Sequence, residues 1–120
     1  MEIKRFISIV GMGAIIACAF ARARAADRAE AKQDYQTFCA SCHGSSGRGD
    51  GFAGATLATP PAHFSDCAMM AKMSDDTMFN VIKKGGGATG RSREMPAWGS
   101  GFEDGEIHDL VAFLMTFCGK

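Results

Sequence analysis

The sequence lacks an excess of charge of either sign. Its 120 residues contain 13 Lys+Arg and 13 Asp+Glu, which gives a formal net charge of zero. Nucleic-acid binders usually carry a clear excess of basic residues, so we expect no nucleic-acid partner. Because 47% of the residues are apolar, the composition is that of a globular protein, and the length leaves room for one small domain.

Regular alternation of polar and apolar residues is also missing, and no internal repeat is present. The first absence argues against β-strands, and the second argues against a solenoid or propeller architecture. The chain contains one C-x-x-C motif, Cys39-Ala-Ser-Cys42, and lacks a second one. A zinc site built from paired cysteines is therefore disfavoured, because it needs a second pair of ligands.

A short apolar run near the N-terminus predicts export. Residues 6–20 are almost wholly apolar, follow two basic residues, and precede an A-x-A cleavage pattern at Ala23 and Ala25. The run of about 15 residues is shorter than the roughly 20 of a transmembrane helix, so an uncleaved anchor is the less favoured alternative. We expect residues 1–25 to be a cleaved secretory signal peptide and residues 26–120 to form a single domain, periplasmic or otherwise exported.

The same region offers a lipidation site as an alternative. Ile15-Ile-Ala-Cys18 resembles a bacterial lipobox, in which Cys18 would be acylated and the protein would be a membrane-anchored lipoprotein. We expect membrane contact only through this lipid or through a membrane-bound partner. Cleavage after residue 25 leaves 9 basic and 12 acidic residues, and therefore a net charge near −3.

The remaining chain has the pattern of three main helices separated by Gly- and Pro-rich loops, which predicts an all-α fold. Residues 27–38 are strong helix formers, and this helix is expected to end against Cys39. Its apolar stripe consists of Ala31, Tyr35 and Phe38.

Helix-capping signals mark the other two helices. Ser74 is a favourable N-cap for a middle helix that stops at Gly85, with Met73 and Met78 placed to form a hydrophobic staple. Asp104 is expected to cap the last helix. The apolar face of that helix carries Ile107, Leu110, Val111, Leu114 and Phe117.

The strongest chemical signal is Cys39-Ala-Ser-Cys42-His43. Two thiols three positions apart at a helix end lie side by side, as addition across the two vinyl groups of one haem requires, and the adjacent imidazole can bind the iron. The motif predicts one covalently attached haem c, with Cys39 and Cys42 as thioethers and His43 as an iron ligand. A redox-active C-x-x-C is disfavoured because the βαβ pattern typical of such proteins is absent.

Met95 is the favoured residue for the sixth ligand of the iron. It lies outside any amphipathic stripe, in a Gly-flanked loop, and Pro96 stiffens the backbone that follows it. Met69 and Met70 are alternatives, and His63 and His108 are less favoured ones, as a loop residue and a polar-face residue.

Haem propionates need hydrogen-bond donors or solvent, and the same loop supplies donors. Trp98 has an indole N–H, and Arg91 and Arg93 have guanidinium groups. Each is a candidate for a propionate contact.

In order along the chain, the motifs resemble a class I monohaem c-type cytochrome. The resemblance rests on Cys-Ala-Ser-Cys-His-Gly at 39–44, Gly49-Asp-Gly51, the helix after Ser74, Met95-Pro-Ala-Trp98 and Leu110-Val-Ala-Phe-Leu114. It implies a cytochrome c-like fold in which the helices and loops wrap around one haem, with His43 and Met95 as axial ligands. It also implies that a carbonyl near Pro60 or Pro61 orients His43, and that Tyr35 or Phe38 meets Phe113 where the terminal helices cross.

Cys67 and Cys118 are additional to the pattern of that family. In an exported protein such a pair is expected to form a disulfide, which would close a loop of about 50 residues and tie the last helix to the loop before the middle helix. The alternative is two buried thiols that act as small apolar groups.

The expected function is one-electron transfer rather than enzymatic catalysis, because two axial protein ligands leave the iron no open position. We expect a monomeric carrier with redox-protein partners. One alternative is a haem c subunit of a larger dehydrogenase or oxidase. A less favoured alternative is a peroxidase or gas-binding protein with a labile sixth ligand.

Overall fold

The computed structural model describes residues 24–25 and 27–119, and that part of the chain is all-α without strands, as predicted. The predicted signal peptide lies outside the described residues, apart from Arg24 and Ala25, and so does Cys18. The main elements are an N-terminal helix (residues 27–43), a middle helix (Asp75–Lys84) and a C-terminal helix (Asp104–Thr116). The loops contain a short helix, Cys67–Met70, and the 3-10 turns Gly54–Thr56 and Gly87–Thr89.

The N-terminal helix extends further than its sequence pattern predicts. It passes through a π-helical turn, Tyr35–Cys39, and continues as Ala40–His43, so the prediction that it ends against Cys39 is wrong. Helical backbone stops only at Gly44, whose φ of 80° favours glycine. Phe38, the last residue of the predicted apolar stripe, lies within this turn and faces the cavity described below.

The middle helix begins and ends where its capping signals predict. The Ser74 hydroxyl accepts a hydrogen bond from the Thr77 N–H (3.1 Å) and so pairs one of the free donors of the first turn. Gly85 follows the last residue with φ 81°. Met78 and Ile82 are buried on one face.

The C-terminal helix begins at Asp104, so Asp104 is its first residue and not its cap, which is Glu103. The reason is chemical. The Glu103 N–H donates to the Glu106 carboxylate (2.6 Å), while the Asp104 carboxylate forms an ion pair with Lys83 of the middle helix (2.6 Å). The predicted apolar face is otherwise correct, because Ile107, Leu110, Val111 and Leu114 are all buried.

Tyr35 is the centre of the hydrophobic core and has no exposed surface. Its ring lies 5.4 Å from Phe113, 5.3 Å from Phe117 and 6.4 Å from Phe64, between ring centroids. The N-terminal and C-terminal helices therefore meet through Tyr35 and Phe113, which is one of the two pairings that the resemblance implied. The Tyr35 hydroxyl donates to the Gly44 carbonyl (2.7 Å), and burial raises the pKa of the phenol, with smaller contributions from Cys39 and Asp50.

Cys67 and Cys118 are brought together from opposite ends of this core. Their Sγ atoms lie within bonding distance and their Cα atoms are 5.5 Å apart, a separation typical of bridged cysteines. Cys67 is the first residue of the short helix, and Cys118 follows the end of the C-terminal helix by two residues.

None of the helices in the described part of the chain is both long and apolar enough to span a bilayer.

Candidate functional site

A cavity of about 600 Å³ opens beside the core and gathers the residues that the sequence singled out. Cys39, Cys42, His43 and Met95 all lie in its wall. Its volume falls within the range of roughly 300–1,000 Å³ that is usual for cofactor sites. Most of the rest of the wall is apolar, formed by Phe38, Leu57, Pro60, Pro61, Phe64, Met69, Met73, Met78, Val81, Ile82, Pro96, Trp98 and Leu114.

His43 is held in one orientation by two contacts. Its Nδ1 lies 3.2 Å from the Ala62 carbonyl, and its ring stacks on Phe64 with centroids 4.6 Å apart and planes 22° apart. Because a carbonyl oxygen can only accept, Nδ1 carries the proton and Nε2 keeps its lone pair. Burial lowers the pKa of His43, although the Ala62 hydrogen bond opposes this shift, so the neutral imidazole is favoured. A neutral ring with a free Nε2 is the form that binds a metal ion.

The turn that carries the two thiols is fixed by the loop that follows it. Main-chain N–H groups of that loop donate back to the last helical carbonyls: Gly49 to His43 (2.7 Å), Gly51 to Cys42 (3.1 Å) and Ala53 to Ser41 (2.8 Å). These bonds satisfy acceptors that would otherwise be unpaired at a helix end. Gly51 is required there, because a Cβ at this position would collide with the Ser41 carbonyl.

Cys39 and Cys42 are both half-buried, and neither forms a disulfide. Burial, followed by the nearby Asp34 and Cys42, raises the pKa of the Cys39 thiol to about 11. Cys39 therefore keeps its proton at neutral pH. Two cysteine side chains in the wall of an apolar cavity provide the groups needed to form thioethers.

The loop that contains Met95 is hydrogen-bonded to the end of the middle helix. The main-chain N–H of Trp98 donates to the Ile82 carbonyl (2.9 Å), and the main-chain N–H of Gly99 donates to the Lys83 carbonyl (3.1 Å). In the other direction, the Gly86 N–H donates to the Met95 carbonyl (2.9 Å). The helix end thus gains partners for its free carbonyls, and the backbone of Met95 gains a fixed position in the cavity wall.

The alternative sixth ligands occupy different environments. Met69 and His63 lie in the wall of the cavity, whereas Met70 is buried in the core with 1% of its surface exposed. His108 is on the exposed side of the C-terminal helix, where its ring stacks on Phe79 with centroids 4.4 Å apart. The structure therefore brings Met69, Met95 and His63 to the cavity and keeps Met70 and His108 out of it.

The predicted propionate donors are only partly brought together. Trp98 and Arg91 line the cavity, whereas Arg93 is not among its lining residues and packs instead with its aliphatic stem against Gly87. Pro61 also lines the cavity, but the carbonyl that faces His43 belongs to the next residue, Ala62.

Two residues beside His43 and Met95 were not predicted from the sequence pattern. Phe64 had no recognised role although it stacks on His43, and Glu94 had none although its carboxylate accepts main-chain N–H groups from Ala58 and Thr59. Phe64 lies in the loop that the resemblance assigned to the orientation of His43, and this was the available signal. Glu94 gives no such signal, because its partners are about 35 residues away.

The residues of the cavity fit a haem covalently attached to this chain. They provide two thiols, an imidazole with a free nitrogen, a thioether on a fixed loop and an apolar wall. A site for a bare metal ion fits less well, since no group of three His, Cys, Asp or Glu able to hold one occurs among the described residues.

Residues 26–114 match the family model described as cytochrome C oxidase, cbb3-type, subunit III. The chain belongs to this cytochrome family. None of the curated proteins and none of the solved structures gives a significant match. Family membership identifies a monohaem c-type cytochrome that holds haem c covalently. It supports haem-based electron transfer, with redox partners or within a larger complex.

Proposed function

We propose that this cytochrome is an exported one-electron carrier whose haem iron is bound by His43 and Met95. One observation carries the proposal. An imidazole oriented by the Ala62 carbonyl and a thioether on an anchored loop share one cavity with the two thiols of the attachment motif. The haem, once bound, supplies the reversible one-electron exchange of its iron.

Met95 is preferred over the other cavity methionines because of how each is held. Met78 is 2% exposed and packs in the core, and Met73 packs against that core as the expected partner of Met78 in the staple. Met69 belongs to a helix of four residues that starts at Cys67. Met95 lies on a loop whose backbone is tied to the end of the middle helix, so the fold presents its thioether on a rigid support.

Two protein ligands favour electron transfer over catalysis. With both axial positions filled, a small molecule reaches the iron only by displacing Met95. The apolar wall and the soft thioether both disfavour the extra charge of the oxidised state and therefore raise the reduction potential. The backbone bonds beside His43 and Met95 would restrain both ligands and so limit their movement when the iron changes oxidation state.

Export and disulfide formation complete the proposal. The signal peptide at residues 1–25 would deliver the chain to the periplasm, where thiols are readily oxidised. Cys67 and Cys118, already at bonding distance, would be oxidised to a disulfide there. A net charge near −3 suits partners with a basic docking surface, because opposite charges raise association rates.

The Met95→Ala variant tests the axial ligand. We expect it to lose the weak sulfur-to-iron charge-transfer band of the ferric protein, to become high-spin, and to bind CO rapidly when reduced. The Met69→Ala variant, which removes another thioether of the cavity, should keep the band. Loss of the band in Met69→Ala and its retention in Met95→Ala would show that the ligand is misassigned.

Intact mass of the exported protein tests the other parts of the proposal. Under non-reducing conditions it should equal residues 26–120 plus one haem minus two hydrogens for the disulfide. An N-terminus at an acylated Cys18 would show that the protein is a lipoprotein and not a free carrier. Free thiols at Cys67 and Cys118 would exclude the disulfide.

A subunit role is the second candidate, because the matching family is described as a subunit of an oxidase. In that case the cytochrome should co-purify with a larger redox enzyme after gentle solubilisation of membranes. A pool that is wholly monomeric in the periplasmic fraction would exclude it.

A further inference from the structure

Glu94 makes the longest-range side-chain hydrogen bonds from the loop that carries Met95. Its Oε1 accepts the Ala58 N–H and its Oε2 accepts the Thr59 N–H, both at 3.4 Å. One carboxylate thus spans two consecutive main-chain donors on the other wall of the cavity, and Thr59 and Glu94 both line that cavity. This bidentate arrangement defines both the position and the direction of the carboxylate.

The carboxylate is set in place by its own loop. The Ser92 hydroxyl donates to Oε2 (3.2 Å), and the Glu94 N–H donates to the Ser92 Oγ (3.2 Å). Ser92 also contacts Met95, because the Ser92 carbonyl accepts a hydrogen bond from the Met95 N–H (3.3 Å). Ser92, Glu94 and Met95 therefore form one hydrogen-bonded unit.

The segment that Glu94 holds leads directly to the opposite axial position. Thr59 is followed by Pro60 and Pro61, whose rings fix φ and stiffen the chain, and then by Ala62, whose carbonyl faces the His43 Nδ1. Glu94 consequently links the loop of one proposed ligand to the segment that orients the other.

We infer that Glu94 is a positioning residue that closes the two walls around the haem and keeps Met95 on the iron. The inference rests on the proposed His43 and Met95 ligation. An external ligand must open the loop before it binds, so its apparent affinity is its intrinsic affinity multiplied by the fraction of open molecules. Removal of the Glu94 contacts increases that fraction.

The experiment titrates the ferric holoprotein with imidazole and follows the sulfur-to-iron band as Met95 is displaced. We expect Glu94→Ala to raise the apparent affinity about tenfold, equivalent to about 1.4 kcal/mol, which is at the upper end of the usual net contribution of one hydrogen bond. Glu94→Gln, which keeps one acceptor oxygen, should give a smaller increase. Ser92→Ala, which removes the hydroxyl donor and leaves the backbone bond to Met95, should also give a smaller increase in the same direction.

Glu30→Gln is the matched control, since it removes the same charge from an exposed position on the N-terminal helix outside the cavity. Its imidazole affinity should equal that of the wild type. Glu94 variants that bind imidazole as the wild type does would overturn the inference, and so would an equal increase in Glu30→Gln. A wild-type protein without the sulfur-to-iron band would instead overturn Met95 ligation, and the role of Glu94 with it.

Discussion

Replacement of both Cys67 and Cys118 by alanine measures what their bridge contributes to stability. The two residues are 51 positions apart in the chain, and the structure places them at bonding distance. The bridge connects the segment before the middle helix with the end of the C-terminal helix. Its loss should act on the unfolded chain, because the folded contacts around both residues stay in place.

The size of the loop sets the size of the effect. In the chain-entropy relation, a closed loop of this length removes about 14 cal/mol/K of entropy from the unfolded state. At 25 °C this corresponds to a loss of about 4 kcal/mol in the free energy of unfolding when the bridge is absent. For an m value of about 4 kcal/mol/M in guanidinium chloride, the unfolding midpoint should fall by about 1 M.

Equilibrium unfolding of the holoprotein, followed by Trp98 fluorescence, provides the assay. With the haem iron kept reduced in every sample, treatment of the wild type with a disulfide reductant should bring its midpoint down to that of the double variant, and the variant itself should not respond. The m value of the variant should be larger, since an uncrosslinked chain exposes more surface. An unchanged midpoint in both the variant and the reduced wild type would refute the reasoning.

Three further predictions concern the helices and the core. Tyr35→Phe loses the buried hydrogen bond to Gly44 and should cost about 1–2 kcal/mol. Because burial raises the pKa of Tyr35, the folded state favours the neutral phenol, and wild-type stability should decline as the pH rises above about 10. Urea unfolding of Tyr35→Phe at several pH values should lack that part of the decline. Ser74→Ala removes the cap of the middle helix and should cost about 1 kcal/mol in urea unfolding, whereas the exposed Ser100→Ala should change little. Leu110→Ala opens a cavity at a position that is 2% exposed and should cost about 2–5 kcal/mol; a loss below 1 kcal/mol would contradict its place in the core.

Local signals were sufficient for most of the fold. Ser74 and Gly85 delimit the middle helix in the sequence and in the structure, because a capping hydroxyl and a left-handed glycine act within a few residues. The apolar spacing from Ile107 to Leu114 likewise predicted the buried face of the C-terminal helix. The attachment motif likewise predicted that Cys39, Cys42 and His43 share one cavity, because its spacing is local.

Features that depend on distant contacts were not predictable from the pattern. The π-helical turn at Tyr35–Cys39 has no periodic signature, and the helix continues beyond it to His43. Asp104 has the chemistry of a cap, but an ion pair with Lys83, 21 residues earlier, engages it. The contacts of Glu94 with Ala58 and Thr59 join segments about 35 residues apart, which no spacing rule relates.

The main-chain bonds between the Met95 loop and the middle helix make the opening of that loop a cooperative event. When the loop swings away, the Ile82 and Lys83 carbonyls lose their partners, so the last helical turn frays with it. The amide protons of Gly86, Trp98 and Gly99 should consequently show one common free energy of opening in hydrogen exchange. That free energy is the cost of opening this loop, and it can be measured without any added ligand.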